Sequence, residues 1–586
     1  MKDVETPVRS RKNDELAWGS DVAAAMLRHL GVEYVAMNPG ASYRGLHDSL
    51  VNYLGNEAPK MLLCLHEDHV VSIAHGYAKA TDRPMGAVLH SNVGLMHGLM
   101  GVFNAYCDRM PMVVVGATGP VEPEKRRPWI DWIHTAKDQG ALLRDYIKWD
   151  DEPRSPEGIV EAFLRGMQMT CTEPRAPVYI CLDVGLQEMK LDRPVAMPRQ
   201  RYAPAPAAVA DAATVARVSD LLAGAKRPLI LIGRASRAED DWNRRVRLAE
   251  RFGARVITSV LERSSFPTAH PLHPLPPLSA VTDDYCAMIA EADVILSLDW
   301  PDLNGLFQGV RRDTDGIEAT VVQVSLDAHI HRGWSMDYFG LPPADVRVMA
   351  NADRFVAQIL DAVGPDRAAP LQPAPLFPPP YSVGAQIMPH DIEIALHKLR
   401  GQDDITLAHV NLTWKGDVFD LRGPLDFLGH DGGAGLAAGP GLTVGAALAL
   451  KDSGRAVVSV IGDGDFLQGA TALWTAAHYR LPSLFIVANN RSNFNDEIHQ
   501  EAVARMRGRS VENRWIGQRM DDPAIDIAGL SRAQGVEAEG PITTHAEMEA
   551  AIARGLQAVR EGRPYLIDVL VAAVGADPST VKRGAD

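Results

Sequence analysis

The chain has few of the features that mark extracellular or membrane proteins. Its 586 residues contain only five cysteines, which are scattered and form no C-x-x-C pair. A disulfide framework is therefore not expected, and the cysteines suit a reducing compartment. No apolar run reaches the roughly 18–20 residues that span a bilayer, and residues 1–15 lack the apolar core of a signal peptide. We therefore expect a cytoplasmic protein without a membrane partner.

An excess of positive charge is also missing. The formal net charge is −15, from 59 Lys and Arg against 74 Asp and Glu. This balance disfavours nucleic acid and anionic membrane surfaces as partners. We therefore expect the ligand to be a small molecule.

The length and two proline-rich segments predict three domains. A chain of 586 residues is too long for one core. Residues 191–208 and 364–381 are rich in Pro, which suits extended connectors. The predicted units are a first domain at 14–190, a middle domain at 209–363, a third domain at 382–572 and a C-terminal tail at 573–586.

Short apolar runs alternate with helical patterns in all three parts. This alternation is typical of parallel sheets covered by helices on both faces, so the predicted class is α/β with three doubly wound domains. The predicted strands include Met112–Val115, Val178–Leu182, Leu229–Ile232, Val294–Leu298, Val457–Ile461 and Leu484–Val487.

One candidate site lies where two of these runs end. Gly462-Asp463-Gly464 follows the run 456–461, and Asn489-Asn490 closes the run that begins at Leu481. The amphipathic segment Gln468–Tyr479 between them predicts a crossover helix. Open α/β sheets bind ligands at the carboxyl ends of strands. Asp463 and Asn490 can offer oxygen atoms to Mg²⁺, while Gly462 and Gly464 let the backbone approach a phosphate. An ordinary βαβ turn is the alternative.

The spacing of GDG and NN resembles the diphosphate-binding signature of thiamine-diphosphate enzymes. Upstream, Leu65-His66-Glu67 followed by Ala74-His75-Gly76-Tyr77-Ala78 resembles the part of that family that binds the cofactor's aminopyrimidine ring. The resemblance implies thiamine diphosphate and Mg²⁺ as cofactors. It also implies active sites between the first domain of one subunit and the third domain of another, hence a homodimer or homotetramer.

The resemblance assigns roles to several residues. Glu67 would hydrogen-bond ring nitrogen N1′ and favour the tautomer that takes the cofactor's C2 proton. Leu436 would bend the cofactor. The remaining assignments are Asp463, Asn490 and the carbonyl of Ser492 for the metal, and His409, Val410, Asn411, Gly462 and Gly464 for the diphosphate. Asp465 departs from the GDGS pattern of the family, and we assign it no phosphate contact.

Substrate-facing residues are predicted from three further segments. Leu89-His90-Ser91 resembles benzoylformate decarboxylase, which makes His90 a candidate proton donor. Ala41 stands where that group has serine, with Ser42 next to it. His134 would hold a carbonyl or hydroxyl of the adduct, or is an ordinary surface histidine. Asn495, Asp496 and Glu497 would face the substrate. One of the two carboxyl groups would act as acid and base, or it is an ordinary solvated carboxylate at the start of a helix.

The predicted function is a lyase or carboligase that breaks or forms a C–C bond next to a carbonyl. The bound cofactor would add to the carbonyl as a C2 ylide and then hold the electrons of the broken bond as an enamine. A 2-hydroxyacyl-CoA lyase is an alternative, with arginines 505, 507, 509, 514 and 519 facing CoA phosphates. Acetohydroxyacid synthase is another, but its FAD-contacting FDDR-type sequence is absent at Asp299–Asp302, so FAD is not expected. Glu67, Asp463 and Asn490 together argue against a non-catalytic homologue.

Overall fold

Three parallel sheets, each covered by helices, form the chain in the computed structural model, as the alternating pattern predicts. The structure describes residues 5–8, 15–199, 201–311, 316–327, 340–364, 371–372, 376–384, 386–401 and 403–575. All strand pairs of the three sheets in these residues are parallel. Both faces of such sheets are buried, which explains the continuous runs of Val, Ile and Leu.

The first sheet has six strands in the order β2-β1-β3-β4-β6-β5. Its strands are β1 Tyr34–Met37, β2 Lys60–Leu63, β3 Met85–Val88, β4 Met112–Thr118, β5 Trp149–Asp151 and β6 Pro177–Asp183. Its helices are α1 Gly19–His29, α2 Arg44–Asp48, α3 Glu67–Thr81, α4 Ser91–Cys107, α5 Ile130–Ile133, α6 Pro156–Cys171 and α7 Val184–Gln187.

The middle sheet has five strands in the order β11-β10-β9-β7-β8. They are β7 Pro228–Ile232, β8 Arg255–Ile257, β9 Val294–Leu298, β10 Thr320–Val324 and β11 Val346–Val348. The helices that cover them are α8 Ala212–Gly224, α9 Glu239–Phe252, α10 Asp283–Glu291, α11 Leu303–Val310 and α12 Ala352–Val363.

The third sheet has five strands in the order β12-β13-β14-β16-β15. They are β12 Ile405–His409, β13 Ala456–Gly462, β14 Leu484–Asn489, β15 Glu537–Ile542 and β16 Tyr565–Leu570. The helices are α13 Pro389–Arg400, α14 Ala438–Leu450, α15 Asp463–Gly469, α16 Ala472–Tyr479, α17 Phe494–Met506, α18 Ile527–Ala533 and α19 His545–Arg560.

Each sheet lies within one of the predicted domain ranges, although the limits themselves remain predictions. The proline-rich segments 191–208 and 364–381 hold no helix or strand in their described parts. Position 14 and the tail from residue 576 onward lie outside the described residues. In the part of the chain that is described, no helix is long and apolar enough to cross a bilayer.

The segment after β13 differs from the predicted single helix Gln468–Tyr479. Two helices, α15 and α16, occupy it, and α15 begins at Asp463 itself. Gly462 and Gly464 lower helix propensity and break the apolar pattern, so the sequence shows periodicity only after the first turn. The carboxylates of Asp463 and Asp465 in that first turn stabilise the helix N-terminus.

Helices α3 and α14 join the first and third domains through a shared apolar core. A Cβ atom on Gly445 would lie 2.0 Å from the backbone oxygen of Ile73, and one on Gly76 would lie 2.2 Å from that of Leu442. The two backbones therefore approach so closely that only glycine fits at these positions. Because α3 begins at Glu67, this packing also sets the position of Glu67 relative to the third sheet.

Candidate active site

A cavity of about 290 Å³ lies at the carboxyl ends of β12, β13 and β14. These strands are neighbours in the third sheet, so residues far apart in sequence meet at one edge. Ten of the predicted site residues line the cavity: His409, Asn411, Leu436, Gly462, Asp463, Gly464, Asn490, Ser492, Asn495 and Asp496. Val410 and Glu497 are not part of this lining.

Asp463 places a carboxylate oxygen in the cavity wall without a partner. Its side chain is buried, and Oδ1 accepts the N–H of Gly464 at 2.9 Å. Oδ2 has no hydrogen-bond partner among the described residues. Burial raises the pKa of Asp463 to about 6, and nearby backbone N–H groups, chiefly that of Gly464, offset only part of this. A buried oxygen in this condition fits a cation ligand.

The adjacent asparagines have different roles. Asn489, the last residue of β14, donates through Nδ2 to Asp568 on β16 at 2.9 Å, so it belongs to the sheet. Asn490 lies one residue beyond the strand and lines the cavity. Its Oδ1 accepts the N–H of Ser492 at 2.9 Å and keeps a second lone pair for another partner.

The glycines leave space beside these oxygens. A Cβ atom on Gly462 would meet no protein atom within 4 Å, so the space beside this backbone is open. One on Gly464 would lie 2.8 Å from Oδ1 of Asn493. Leu436 is about half exposed, at 49%, in the loop before α14. Open backbone at Gly462 and the exposed apolar side chains of Leu436 and Leu412 suit a ligand that has both a charged and an apolar part.

Asp465 also lines the cavity, but both of its carboxylate oxygens have partners in the protein. Its Oδ1 accepts the N–H of Ala437 at 2.7 Å, and its Oδ2 lies 3.2 Å from Nε2 of His409. Burial disfavours the charged imidazole ring, but the Asp465 carboxylate outweighs it and raises the pKa of His409. The carboxylate of Asp465, which departs from the GDGS pattern, therefore binds the start of α14 and orients His409.

Glu497 is held in ion pairs instead of facing the cavity. It is fully buried, and its Oε1 accepts the hydroxyl of Ser492 at 2.6 Å and Nε–H of Arg519 at 3.1 Å. Oε2 lies 3.5 Å from Nε of Arg514. Arg505 pairs with Glu501, as does Arg514. Three of the five arginines considered for CoA phosphates therefore already have carboxylate partners.

A second group of predicted residues gathers around Glu67 at the first sheet. Glu67 is the first residue of α3 and is buried, and His66 caps the helix by accepting the N–H of Asp68 at 3.1 Å. Nδ1 of His97 lies 3.1 Å from Oε2 of Glu67. Burial raises the pKa of Glu67, but hydrogen bonds from His97 and Asn38 outweigh it, so the net pKa is lowered.

His90, His134 and Ser42 form a cluster at the same edge. The hydroxyl of Ser42 accepts the N–H of Ser91 at 3.1 Å and lies 2.8 Å from Nδ1 of His90. The rings of His90 and His134 are 4.8 Å apart, edge to face. Burial, followed by the charge of His134, lowers the pKa of His90. A neutral ring that accepts from Ser42 at Nδ1 carries its proton on Nε2. Ala41 is exposed beside this cluster.

The cavity and the Glu67 group consist of residues from different domains. All residues that line the cavity belong to the segment 389–575, and no described residue of the first domain is among them. Glu67, Ser42, His90 and His134 form a separate group on the first domain.

A second cavity, of about 330 Å³, lies between the first and middle domains. It contains none of the predicted site residues. Asp327 in its wall pairs with Arg234 at 2.6 Å and with Arg109 at 3.1 Å. Burial raises the pKa of Asp327, but the charges of Arg234 and Arg109 outweigh this and hold it well below its usual range. The protein's own arginines thus neutralise a carboxylate of this wall.

The sequence analysis missed His97 and Asn38. A signal was present for His97, because His90, Gly94 and His97 follow a spacing of four and three residues, which places them on one face of a helix. Glu67 packs against this face: a Cβ atom on Gly94 would lie 3.1 Å from Oε1 of Glu67. Asn38 follows β1 and carries no comparable sequence pattern.

Three models of thiamine pyrophosphate enzyme domains match the chain. The N-terminal thiamine pyrophosphate-binding domain matches residues 17–142, the central domain matches 215–357, and the C-terminal binding domain matches 411–569. The first match contains Glu67, and the last contains the GDG and NN region.

Individual proteins resemble the chain over nearly its whole length. Benzoylformate decarboxylase of Pseudomonas aeruginosa is 27% identical, over 93% of this chain and 97% of its own. A probable acetolactate synthase large subunit of Methanocaldococcus jannaschii is 22% identical, over 96% and 93%. A solved structure of thiamine diphosphate-dependent 4-hydroxybenzoylformate decarboxylase from Rhodococcus jostii has a TM-score of 0.75 at 23% identity, over 96% of this chain and all of its own. With all three domain models in order along it, the chain belongs to the thiamine pyrophosphate enzyme family.

Proposed function

We propose that the protein is a lyase or carboligase that breaks or forms a C–C bond next to a carbonyl, using thiamine diphosphate and Mg²⁺. The observation that carries this proposal is the unpartnered, buried Oδ2 of Asp463 in a cavity shared with Asn490. The two oxygen-bearing side chains directly follow neighbouring strands, beside open backbone at Gly462. This donor set fits a hard cation that bridges to a diphosphate.

The residues of the third domain would hold the cofactor. When bound, thiamine diphosphate supplies a carbanion equivalent that adds to a carbonyl and accepts electrons from the neighbouring bond. Asp463, Asn490 and the carbonyl of Ser492 would bind Mg²⁺, and the backbone at Gly462 and Gly464 would lie against the diphosphate. Leu436 offers the exposed apolar contact for the cofactor's rings. His409, oriented by Asp465, would lie beside the diphosphate.

The residues of the first domain would act on protons and on the substrate. Glu67 would hydrogen-bond the ring nitrogen N1′ through its carboxyl group. His90 would hold a proton at Nε2 beside the reacting carbon, with Ser42 fixing the ring through Nδ1. His134, next to His90, would contact an oxygen of the substrate.

We infer that these roles combine two copies of the chain, as the resemblance to thiamine-diphosphate enzymes implies. The cavity and Glu67 belong to separate groups in one chain, and exposed apolar side chains flank both. Trp132 next to His134 is 82% exposed, and Leu412 in the cavity wall is 53% exposed. Large exposed apolar groups around half-sites suit a surface that another subunit covers. We therefore propose a homodimer, or a homotetramer built from such dimers.

Replacement of Asp463 by Ala tests the proposal. The variant should lose saturable binding of thiamine diphosphate with Mg²⁺ at micromolar concentrations in calorimetry, since the cation links the protein to the diphosphate. Asp452→Ala is a matched control, because it removes an exposed carboxylate before the opposite end of the same strand. The control should bind like the wild type. Unchanged binding in Asp463→Ala would show that GDG is only a turn.

A substrate screen separates the reactions that this site can support. The purified protein would be given 2-oxo acids, benzoin-type ketones, pyruvate alone and 2-hydroxyacyl-CoA esters, each with thiamine diphosphate and Mg²⁺. We expect turnover of 2-oxo acids or 2-hydroxy ketones. Turnover of pyruvate to acetolactate would support a synthase instead, and selective cleavage of CoA esters would support a CoA lyase.

A further inference from the structure

His97 makes a contact to Glu67 for which the proposed function has no role. It lies on α4, seven residues after His90, with 59% of its side chain exposed. Its Nδ1 is 3.1 Å from Oε2 of Glu67, within hydrogen-bond distance. Its ring is stacked on that of His66, with centroids 5.0 Å apart and planes at 22°. The imidazole ring is therefore held in place on one side by His66 and on the other by the carboxylate.

We propose that His97 is a positioning residue that orients the carboxylate of Glu67 through a hydrogen bond from Nδ1–H to Oε2. The proposal rests on the proposed function, in which Glu67 meets the cofactor's aminopyrimidine ring. A carboxylate that must align with one ring nitrogen gains from a fixed orientation, because a free carboxylate rotates between several hydrogen-bonding geometries.

The packing around Glu67 agrees with this role. Gly94 lies against the carboxylate, and a Cβ atom there would be 3.1 Å from Oε1. His97 approaches Oε2 from the next turn of the same helix. Helix α4 thus restricts the movement of both carboxylate oxygens of Glu67. Close packing restricts Oε1, and a hydrogen bond restricts Oε2. His97 and Asn38 together lower the pKa of Glu67 against the effect of burial.

A metal ion held by His66, Glu67 and His97 is the competing interpretation, since their ligand atoms lie within 4.8 Å of one another. The cap of α3 argues against it. Nδ1 of His66 accepts the N–H of Asp68, so a neutral ring carries its proton on Nε2. Neither nitrogen of His66 then offers a free lone pair, and a metal would have to break the helix cap to bind there.

Other titratable groups also face Glu67 and must be separated from His97. They are Tyr43, His66, His69 and His90. The structure gives none of these four a hydrogen bond to the Glu67 carboxylate. Their influence is that of charges at a distance, whereas His97 makes direct contact.

The test compares His97→Phe with His97→Asn in the full-length protein. Phenylalanine keeps a ring to stack on His66 but has no N–H group. Asparagine restores a donor at the same number of bonds from Cβ as Nδ1 of histidine. His66→Asn is a comparison variant: asparagine also caps helices, and the change removes the ring that stacks on His97 but no hydrogen bond to the carboxylate.

The first measurement is the titration of the Glu67 carboxyl in cofactor-free protein, followed by ¹³C NMR and assigned with Glu67→Gln. We expect His97→Phe to raise the titration midpoint, His97→Asn to return it toward the wild-type value, and His66→Asn to shift it less than His97→Phe does. An unchanged midpoint in His97→Phe would overturn the proposal.

The second measurement is exchange of the cofactor's C2 proton in protein loaded with thiamine diphosphate and Mg²⁺. His97→Phe should slow exchange by about tenfold to a hundredfold, the range expected for a lost hydrogen bond to a charged group. His97→Asn should restore it. Slow exchange that asparagine does not restore would contradict a hydrogen-bonding role. If the wild type itself binds no cofactor, the proposed function fails, while the carboxyl titration still decides the contact.

Discussion

Asp463 and Asp465 stand two residues apart in the first turn of α15, yet their carboxylates have different partners. Asp463 leaves one oxygen without a hydrogen bond at the cavity, whereas Asp465 binds the start of α14 and His409. Asn489 and Asn490 differ in the same way, one in the sheet and one at the cavity. At the residue scale, the partner of each oxygen decides its role.

The proton donor to the substrate can be tested at single residues. His90→Ala should slow turnover or ligation on the substrate that the screen identifies, with cofactor binding intact. The difference from the wild type should shrink as the pH rises through the pKa of His90, because the wild-type ring then loses its cationic form, which is the stronger proton donor. Burial and His134 place that pKa below the ordinary value of about 6.5. A pH profile of kcat measures this.

Glu497→Gln and Asp496→Asn complete the comparison. Glu497 lies in ion pairs with Arg519 and Arg514, so its replacement should lower stability more than the chemical rate. Asp496 is exposed at the cavity and provides the carboxylate alternative. A larger loss of kcat in Asp496→Asn than in His90→Ala would identify the carboxyl group of Asp496, instead of His90, as the proton donor.

At the scale of elements, the ends of strands and the starts of helices build both half-sites. Asp463 and Asn490 directly follow β13 and β14, and α3 begins at Glu67. Close packing of α3 on α14 then connects the helix that carries Glu67 to the domain that carries the cavity. Substitutions that disturb this packing should therefore change the position of Glu67 relative to the cavity.

Gly445→Ala tests this packing. The added methyl group would overlap the backbone of Ile73, so the helices must separate. We expect a loss of about 1–3 kcal/mol, the usual cost of overpacking, seen as a lower thermal midpoint in calorimetry. Gly224→Ala is the control, since nothing lies within 4 Å of a Cβ atom there. Equal midpoints for Gly445→Ala and the wild type would refute the close approach.

At the scale of the whole molecule, the proposed site divides into two halves on different domains of the chain. Glu67 and Asp463 lie in different domains, and the described cavity contains no residue of the first domain. A homodimer with a two-fold axis would place each half opposite its complement and create two equivalent sites.

Mixed dimers test this arrangement. Chains with Glu67→Gln and chains with Asp463→Ala would be co-expressed with different tags, and mixed dimers purified through both. Each pure variant should be nearly inactive. In a mixed dimer one site contains both changes and the other contains none, so roughly half of the wild-type activity should return. If the site formed within one chain, every site would keep one defect and no activity would return.

The sequence by itself determined the α/β class, the apolar strands and the positions of GDG, NN and Glu67 along the chain. These features are local, because each apolar run, glycine or motif can be recognised within a few dozen residues of sequence. Strand ends were predicted to within a few residues, as Val294–Leu298 and Leu484–Asn489 show.

Only the tertiary structure decided which polar groups share a partner. Asp465 binds the start of α14, Glu497 pairs with Arg519, and His97 contacts Glu67 from another helix. These pairings depend on how segments distant in sequence pack, and on side-chain rotation, which periodicity does not encode. The motif therefore predicted where along the chain the proposed site lies, while packing determined which of its carboxylates keeps an oxygen without a partner among the described residues.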